Sequence, residues 1–313
     1  MAGLVSNPRI LVTGATGFIG TPLCARLQEL GHPLTALTRD PSKARKRLGE
    51  QVELVTKLDD LGDATFGGVI NLAGEPLAAR RWNERLKAEI RRSRIGTTEA
   101  LFEYFQRVGD FPEVLVNGSG IGVYGNQGDR PITEGSNLSD DSFSSHLCRD
   151  WEAAAERFTD RGTRVCRIRT GVVLGPDGGA LQAMLPAFKF GVGGRLGDGR
   201  QWMSWIHRRD LIGIILLCLS NSSLVGPVNG TAPNPVTNRV FTRTLAKTLH
   251  RPSLLPVPGF GLRLLMGELA DELLLAGQRV LPEVAPAHGY EYEFPELGPA
   301  LEDVLHTSRR TSR

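Results

Sequence analysis

The 313-residue chain predicts an α/β fold, a doubly wound parallel sheet carrying a smaller C-terminal lobe. Three observations carry that expectation. Strand and helix signals alternate through the first two thirds of the chain, as parallel βαβ units require. A glycine-rich turn, Thr13-Gly14-Ala15-Thr16-Gly17-Phe18-Ile19-Gly20, follows directly on the apolar run Arg9-Ile10-Leu11-Val12. The texture then changes between Gly175 and Gly199, where glycine becomes dense and Pro176 and Pro186 mark breaks.

The first strand is expected at Arg9–Thr13, a short apolar run bounded by a turn. Behind it, Ile19, Leu23, Leu27 and Leu30 have helical spacing, with Gly31 as the stop. The glycines therefore sit on a strand-to-helix turn. There the first permits the tight turn, the second lets a pyrophosphate touch backbone, and the third lets helix pack on strand. Amides at the helix start present a positive end to phosphate. The turn reads as the dinucleotide site of a Rossmann fold.

Further strands are expected at Leu34–Thr38, Val52–Val55, Val69–Leu72, Val114–Asn117, Val165–Val173 and Val228–Asn229. A long helical pattern covers Glu84–Val108, with Leu86, Ile90, Leu101 and Phe105 on one face. It would suit a homodimer face, and equally packing on its own sheet. Other helices are expected at Trp151–Phe158, Val240–Leu249 and across the apolar region Leu262–Val280. The division that follows is a nucleotide-binding domain at 9–175, to which 207–230 return. A small substrate-binding lobe takes 176–206 and 231–305, leaving 1–8 and 306–313 as flexible ends.

Apolar residues at 41% and charged residues at 23% are those of an ordinary globule. A net charge of +3 without a long basic block does not call for nucleic acid. Cys24, Cys148, Cys166 and Cys218 lie far apart without paired spacing, so neither a metal site nor a disulfide scaffold is expected. Met1–Pro8 lacks the apolar segment of a secretory signal. Leu211–Leu219, the longest apolar stretch, is too short to span a bilayer. A cytoplasmic protein with no membrane partner and a small-molecule substrate is the expectation.

The second strand ends in Leu37-Thr38-Arg39-Asp40, where an acid usually reads the ribose 2′-hydroxyl. Thr38 takes that position and Arg39 follows. A guanidinium there suits a 2′-phosphate through charge-assisted bonds, and Lys43 adds charge one helical turn later. NADP is favoured over NAD. Asp40 would be the ribose ligand if the register slips. Arg45, Lys46 and Arg47 read as a solvated face.

The glycine turn, Asn71-Leu72-Ala73-Gly74-Glu75 and Arg169-Thr170-Gly171-Val172-Val173-Leu174-Gly175 resemble an extended or atypical short-chain dehydrogenase/reductase. The runs Gly191–Gly194, Gly197-Asp198-Gly199-Arg200-Gln201 and Trp205-Ile206-His207, with Asp210, are similar to a sugar-epimerase-like subfamily sometimes labelled a cell-division inhibitor. Gly277–Pro282 and Phe294–Leu297 extend the likeness, which covers about Arg9 to Val304. The resemblance implies a Rossmann core, NADP or NAD, and a small C-terminal substrate lobe. It implies that Thr13, Gly14, Gly17 and Gly20 hold the pyrophosphate, with Phe18 and Ile19 offering amides. Asn71, Leu72, Ala73 and Gly74 would line the cofactor ribose, and Thr170 and Gly171 the nicotinamide end. For Asn71 and Thr170, strand-end hydrogen bonding is the other reading, and both roles can coexist.

One departure from this family is plain. Its usual enzymes pair a serine after the fifth strand with Tyr-x-x-x-Lys, because a phenol transfers protons near neutrality only beside a stabilising ammonium. No lysine follows Tyr104, Tyr124, Tyr290 or Tyr292 by four positions. By alignment Ser144 and Cys148 take the two places. Ser119, just past the fifth strand, and Tyr124 on the same loop are the substitute catalytic candidates. A turn serine and a packed aromatic are their bland readings. Glu75, Arg200 and His207 are grouped on the substrate side. For Glu75 the alternative is an exposed loop acid, and for His207 an anchor between lobes. The leading function is an NADP-dependent oxidoreductase or epimerase acting on a small polar molecule, a nucleotide sugar among the candidates. The alternative is a catalytically silent NADP-binding redox sensor or scaffold. The elaborate lobe favours the enzyme.

Overall fold

Seven parallel strands form the central sheet of the computed structural model, in the order β11-β7-β5-β4-β1-β2-β3. The structure describes residues 7–311 except 79, 140, 141, 254 and 255. The strands in chain order are β1 (Ile10–Thr13), β2 (Leu34–Leu37), β3 (Glu53–Val55), β4 (Gly68–Asn71) and β5 (Val114–Gly120). There follow β6 (Pro131–Ile132), β7 (Arg164–Thr170), β8 (Val172–Leu174), β9 (Trp202–Met203), β10 (Trp205–His207) and β11 (Gly226–Gly230). The order reverses beside β1, whose Thr13 is in register with Leu37 on one side and Asn71 on the other. Such a switch point opens a crevice at the carboxyl ends of the strands.

The sheet is buried on both faces because each strand offers apolar side chains alternately to both. Ile10, Val12, Ile70, Val116 and Ile168 meet Leu23 and Leu27 of α1 (Gly20–Glu29) and Ile214 and Ile215 of α7 (Arg208–Ser220). On the opposite face Leu11, Val69, Leu115 and Val165 meet Leu101 and Phe105 of α4 (Thr97–Val108), with Phe158. A further core gathers Leu174, Leu181, Trp205, Phe241, Leu245 and Leu301 from later segments.

Four expected elements take a different form. The helix at Glu84–Val108 is α3 (Glu84–Arg91) and α4 joined by a π-helical turn, Arg92–Gly96. The strand at Val165–Val173 breaks at Gly171, after which β8 leaves the sheet to pair with β10. A Cβ on Gly171 would run into the Ser204 carbonyl oxygen, so the chain turns where only glycine fits. The helix expected at Trp151 begins earlier, as α5 (Phe143–Glu156), because Ser142 accepts from the Ser145 amide and caps it. The glycine-dense segment contains α6 (Gly179–Lys189), with Pro186 inside it.

The longest apolar stretch is α7, a core helix. Among the described residues no helix is long and apolar enough to cross a membrane. The C-terminal helix Leu297–Thr311 reaches into the segment expected to be a loose end. Residues 1–6, 312 and 313, also parts of those ends, lie outside the described residues.

Gly171→Ala is expected to lower stability by about 1–3 kcal/mol, since backbone must shift to admit the methyl group. Gly120→Ala, whose Cβ would have its nearest contact with Cys148 Sγ at 3.4 Å, should be close to neutral. Urea denaturation midpoints of the two variants compare them directly.

Candidate active site

Side chains at the carboxyl ends of β1, β4 and β5 are tied to one another. Thr13 Oγ1 donates to Asn71 Oδ1 at 2.6 Å, and Asn71 Nδ2 donates to Asn117 Oδ1 at 2.6 Å and Thr98 Oγ1 at 2.8 Å. All four residues are buried. Thr13 Oγ1 also accepts from the Ala73 amide at 3.1 Å, so the chain leaves β4 on a fixed course. The side chains of Thr13 and Asn71 are thereby committed inside the protein. They set the strand ends and do not face the groove above.

The glycine turn packs against that course. Gly14 has φ +67°, and a Cβ there would strike the Leu72 carbonyl. A Cβ on Gly20 would strike the Gly14 oxygen, while Gly17 is exposed on the turn's outer side. Leu72 and Ala73 border the turn. Together they form a backbone cradle, held by contacts too close for a side chain at 14 or 20.

At the end of β2, the Arg39 side chain is 91% exposed, with only Glu75 Oε2 near it at 3.6 Å. Glu75 therefore faces the β2 side of the groove. Asp40 is engaged as the N-cap of α2 (Pro41–Leu48), accepting from the Lys43 amide at 2.9 Å, which leaves Arg39 as the available ribose-side residue. Arg47, expected on a solvated face, donates to the Thr16 carbonyl at 2.6 Å and ties α2 to the glycine turn.

A cavity of about 600 Å³ opens beside this cradle. Gly120, Gly122, Cys148, Thr170 and Gly171 form its sheet side, while Met184, Leu196, Trp202, Met203 and Leu274 close it from later segments. Phe18 joins the wall through its ring. A Cβ on Gly175, Gly178 or Gly179 would lie 2.7–2.9 Å from that ring, which accounts for part of the glycine density there. Arg208 covers the ring at 4.8 Å.

Ser119 and Tyr124 are not on this wall. Tyr124 has no exposed surface, and its hydroxyl donates to Asn229 Oδ1 at 2.8 Å while accepting from Arg169 Nη1 at 2.9 Å. Burial raises its pKa, with the Arg169 charge acting against that rise. The expected proton donor is thus enclosed, and Tyr124 is corrected to a buried structural group. Ser119 Oγ donates to Glu152 Oε1 at 2.7 Å, behind the wall. Glu152 in turn takes two bonds from Arg169, Nε to Oε1 at 2.9 Å and Nη2 to Oε2 at 2.8 Å. This buried ion pair was missed in the sequence. Its signal in the sequence was weak, since Arg169 is one of three arginines on β7, and only its burial separates it from Arg164 and Arg167.

The wall carries Ser144 and Cys148 instead, one helical turn apart on α5. Ser144 Oγ is buried without a hydrogen-bond partner. Burial pushes the Cys148 thiol up to about 11, with Glu152 adding to the shift and Arg94 opposing it. Glu272 caps α5 from the far side of the cavity, taking the Phe143 amide at 3.1 Å and the Ser144 amide at 2.9 Å.

Two other expected residues lie elsewhere. Arg200 is exposed off the cavity, its amide donating to Asp198 Oδ1. His207 is buried off the cavity, stacked on Phe294 at 4.0 Å and capping α7 by accepting the Arg209 amide at Nδ1. Its Nε2 is 3.2 Å from Asp303 Oδ2. It joins segments rather than lining the site.

A glycine turn and a cavity sharing the carboxyl edge of a Rossmann sheet, with later segments closing over them, define an extended short-chain dehydrogenase/reductase. The chain belongs to the NAD dependent epimerase/dehydratase family, whose model matches residues 10–229, and a domain of unknown function (DUF1731) matches residues 257–304. It is 39% identical over 307 residues to the Arabidopsis thaliana chloroplastic epimerase family protein SDR39U1 homolog, covering 96% of this chain and 87% of that one. It is similar to the crystal structure of human epimerase family protein SDR39U1 (isoform2) with NADPH. That match has 37% identity and a TM-score of 0.86, and covers 95% of this chain and 99% of that one. A nucleoside-diphosphate sugar epimerase from Corynebacterium glutamicum matches at 32% identity and a TM-score of 0.74, covering 96% of this chain and 58% of that chain.

Burial pushes the His207 pKa down to about 4, from an ordinary value of 6.5. The folded protein therefore holds this imidazole neutral where the unfolded chain protonates it. Its contribution to stability is complete above about pH 6.5 and is lost as pH falls through about 4. His207→Asn keeps an N-cap acceptor and removes the titration. Its urea midpoint should fall less than that of the unaltered protein between pH 7 and pH 4.5.

Proposed function

We propose that this chain binds NADP along the Gly14–Gly20 turn and exchanges a hydride with a small carbonyl or alcohol compound in the adjoining cavity. The observation that carries the reading is the pairing of a backbone cradle at Gly14, Gly17 and Gly20 with an exposed guanidinium, Arg39, at the end of β2. The NADPH in the human relative's crystal structure supports it. In this reading Phe18, Ile19, Leu72, Ala73 and Gly74 border the dinucleotide. Thr170 and Gly171 lie at the nicotinamide end, and Arg39 with Lys43 takes the 2′-phosphate. Residues 9–175 with 207–230 make the cofactor domain, and 176–206 with 231–305 the substrate lobe.

When bound, the nicotinamide supplies the hydride chemistry. The protein's own part is positioning and proton supply. On substrate binding the Ser144 side chain turns its unpartnered Oγ to the substrate oxygen and donates a hydrogen bond to it. The Cys148 thiol, protonated at neutral pH, gives its proton to the oxygen as an alcohol forms, with the Arg94 charge favouring the thiolate against burial, and the thiolate recovers a proton from water. Ser119, Glu152, Arg169 and Tyr124 hold α5 and β5 in place behind them and are positioning residues. One observation favours a second reading, a silent NADP sensor: no phenol or ammonium reaches the cavity wall among the described residues.

Arg39→Ala should weaken NADPH about 10- to 100-fold in calorimetry while leaving NADH within about 2-fold. Equal losses for both would overturn the assignment of the 2′-phosphate. Cys148→Ser should lower kcat about 100-fold for NADPH-dependent carbonyl reduction. Should the unaltered protein oxidise no NADPH with any of a panel of aldehydes and ketones, the sensor reading replaces the enzyme.

A further inference from the structure

We infer that the substrate of this cavity is uncharged and largely apolar, and that it is not a nucleoside diphosphate sugar. The inference rests on the cavity being the substrate site of the function proposed above.

Among the described residues that line the cavity there is no lysine, arginine or histidine. A diphosphate brings two or more negative charges, and burying them requires cations or a comparable set of charge-assisted donors. The ionised groups on this wall have the opposite sign. They are Asp271 and Glu272, and neither is free to hold a cationic ligand. Asp271 is paired with Arg263 at 2.7 Å, and both oxygens of Glu272 are taken by the α5 amides. The cavity thus offers no cation to an anion and no uncommitted carboxylate to a cation.

The rest of the wall is uncharged and mainly apolar, with Gln201, Ser204 and Asn238 among its polar side chains engaged in hydrogen bonds of their own. Phe18, Leu147, Met184, Leu196, Trp202 and Met203 supply most of its bulk, two of them methionines that adapt to irregular shapes. The arginines nearest in sequence are directed elsewhere. Arg279 lies over the Trp202 ring at 4.7 Å and does not line the cavity. Arg195, Arg239 and Arg243 line a separate pocket of about 240 Å³ that shares none of the cavity's residues. One hydroxyl among the lining residues, Ser144 Oγ, is buried and has no hydrogen-bond partner. A carbonyl or hydroxyl oxygen on an otherwise hydrocarbon molecule satisfies it.

The test is calorimetric titration of the NADPH-saturated protein with UDP-glucose and, separately, with 2-decanone, a neutral apolar ketone. The ketone titration is repeated without cofactor. 2-Decanone should bind, and UDP-glucose should give no binding heat up to about 5 mM. Met203→Arg, which brings a cation to the wall, should weaken the ketone at least about 10-fold. UDP-glucose binding in the micromolar range would overturn the inference, as would a ketone that fails to bind protein able to take up NADPH. Absence of NADPH uptake would instead remove the cofactor assignment, and the cofactor-free ketone titration then decides the nature of the cavity.

Discussion

Arg169 meets Glu152 through two parallel hydrogen bonds at a place where neither charge touches water. Removing two ions from solvent is costly, and the attraction offsets that cost only when the remaining donors and acceptors are satisfied. Here they are: Glu152 also takes the Ser119 hydroxyl, and Arg169 also reaches the Tyr124 hydroxyl and the Glu134 carbonyl. The pair fastens α5 to β7 across the back of β5. Since Ser144 and Cys148 are carried by α5, their position on the cavity wall follows from this one buried contact.

The parallel sheet was legible because its strands are short apolar runs with a helix between each, and local pattern alone specifies that. Glycine at the first turn was equally plain, since Gly14 and Gly20 are required by backbone approach and not by a distant partner. The break at Gly171 was not. It is set by the Ser204 oxygen, which reaches it from a segment more than thirty residues away, and strand-forming residues continue on both sides of the bend. Helix α7 was hidden by being apolar on most of its circumference, which removes the periodic signal that marks an amphipathic helix.

The site was read unevenly for a related reason. The glycines expected at the first turn lie where backbone segments approach too closely for a side chain. For residues whose role depends on which way a side chain turns, chain order alone was insufficient. Ser119 and Tyr124 occur where chain order predicts catalytic groups, yet both turn inward toward Glu152, Arg169 and Asn229. Asp40 resolves the other way: capping α2 occupies it, and Arg39 is left as the exposed neighbour. Sequence order fixes location on a loop, but only three-dimensional competition for hydrogen bonds fixes direction.

That competition also explains why a lysine is absent from α5. The π-helical turn at Arg92–Gly96 swings Arg94 inward, where it donates to the Glu75 carbonyl at 3.0 Å and lies over the Trp151 ring at 5.4 Å. Its charge is felt at Cys148, lowering the thiol's pKa against the larger effect of burial. An ammonium at position 148 would face this guanidinium inside the protein, two like charges with little water between them. A neutral thiol avoids that repulsion and leaves the wall without a cation. At this position the neutral thiol is compatible with the inward turn of Arg94 beneath α5, and α5 brings no cation to the cavity wall.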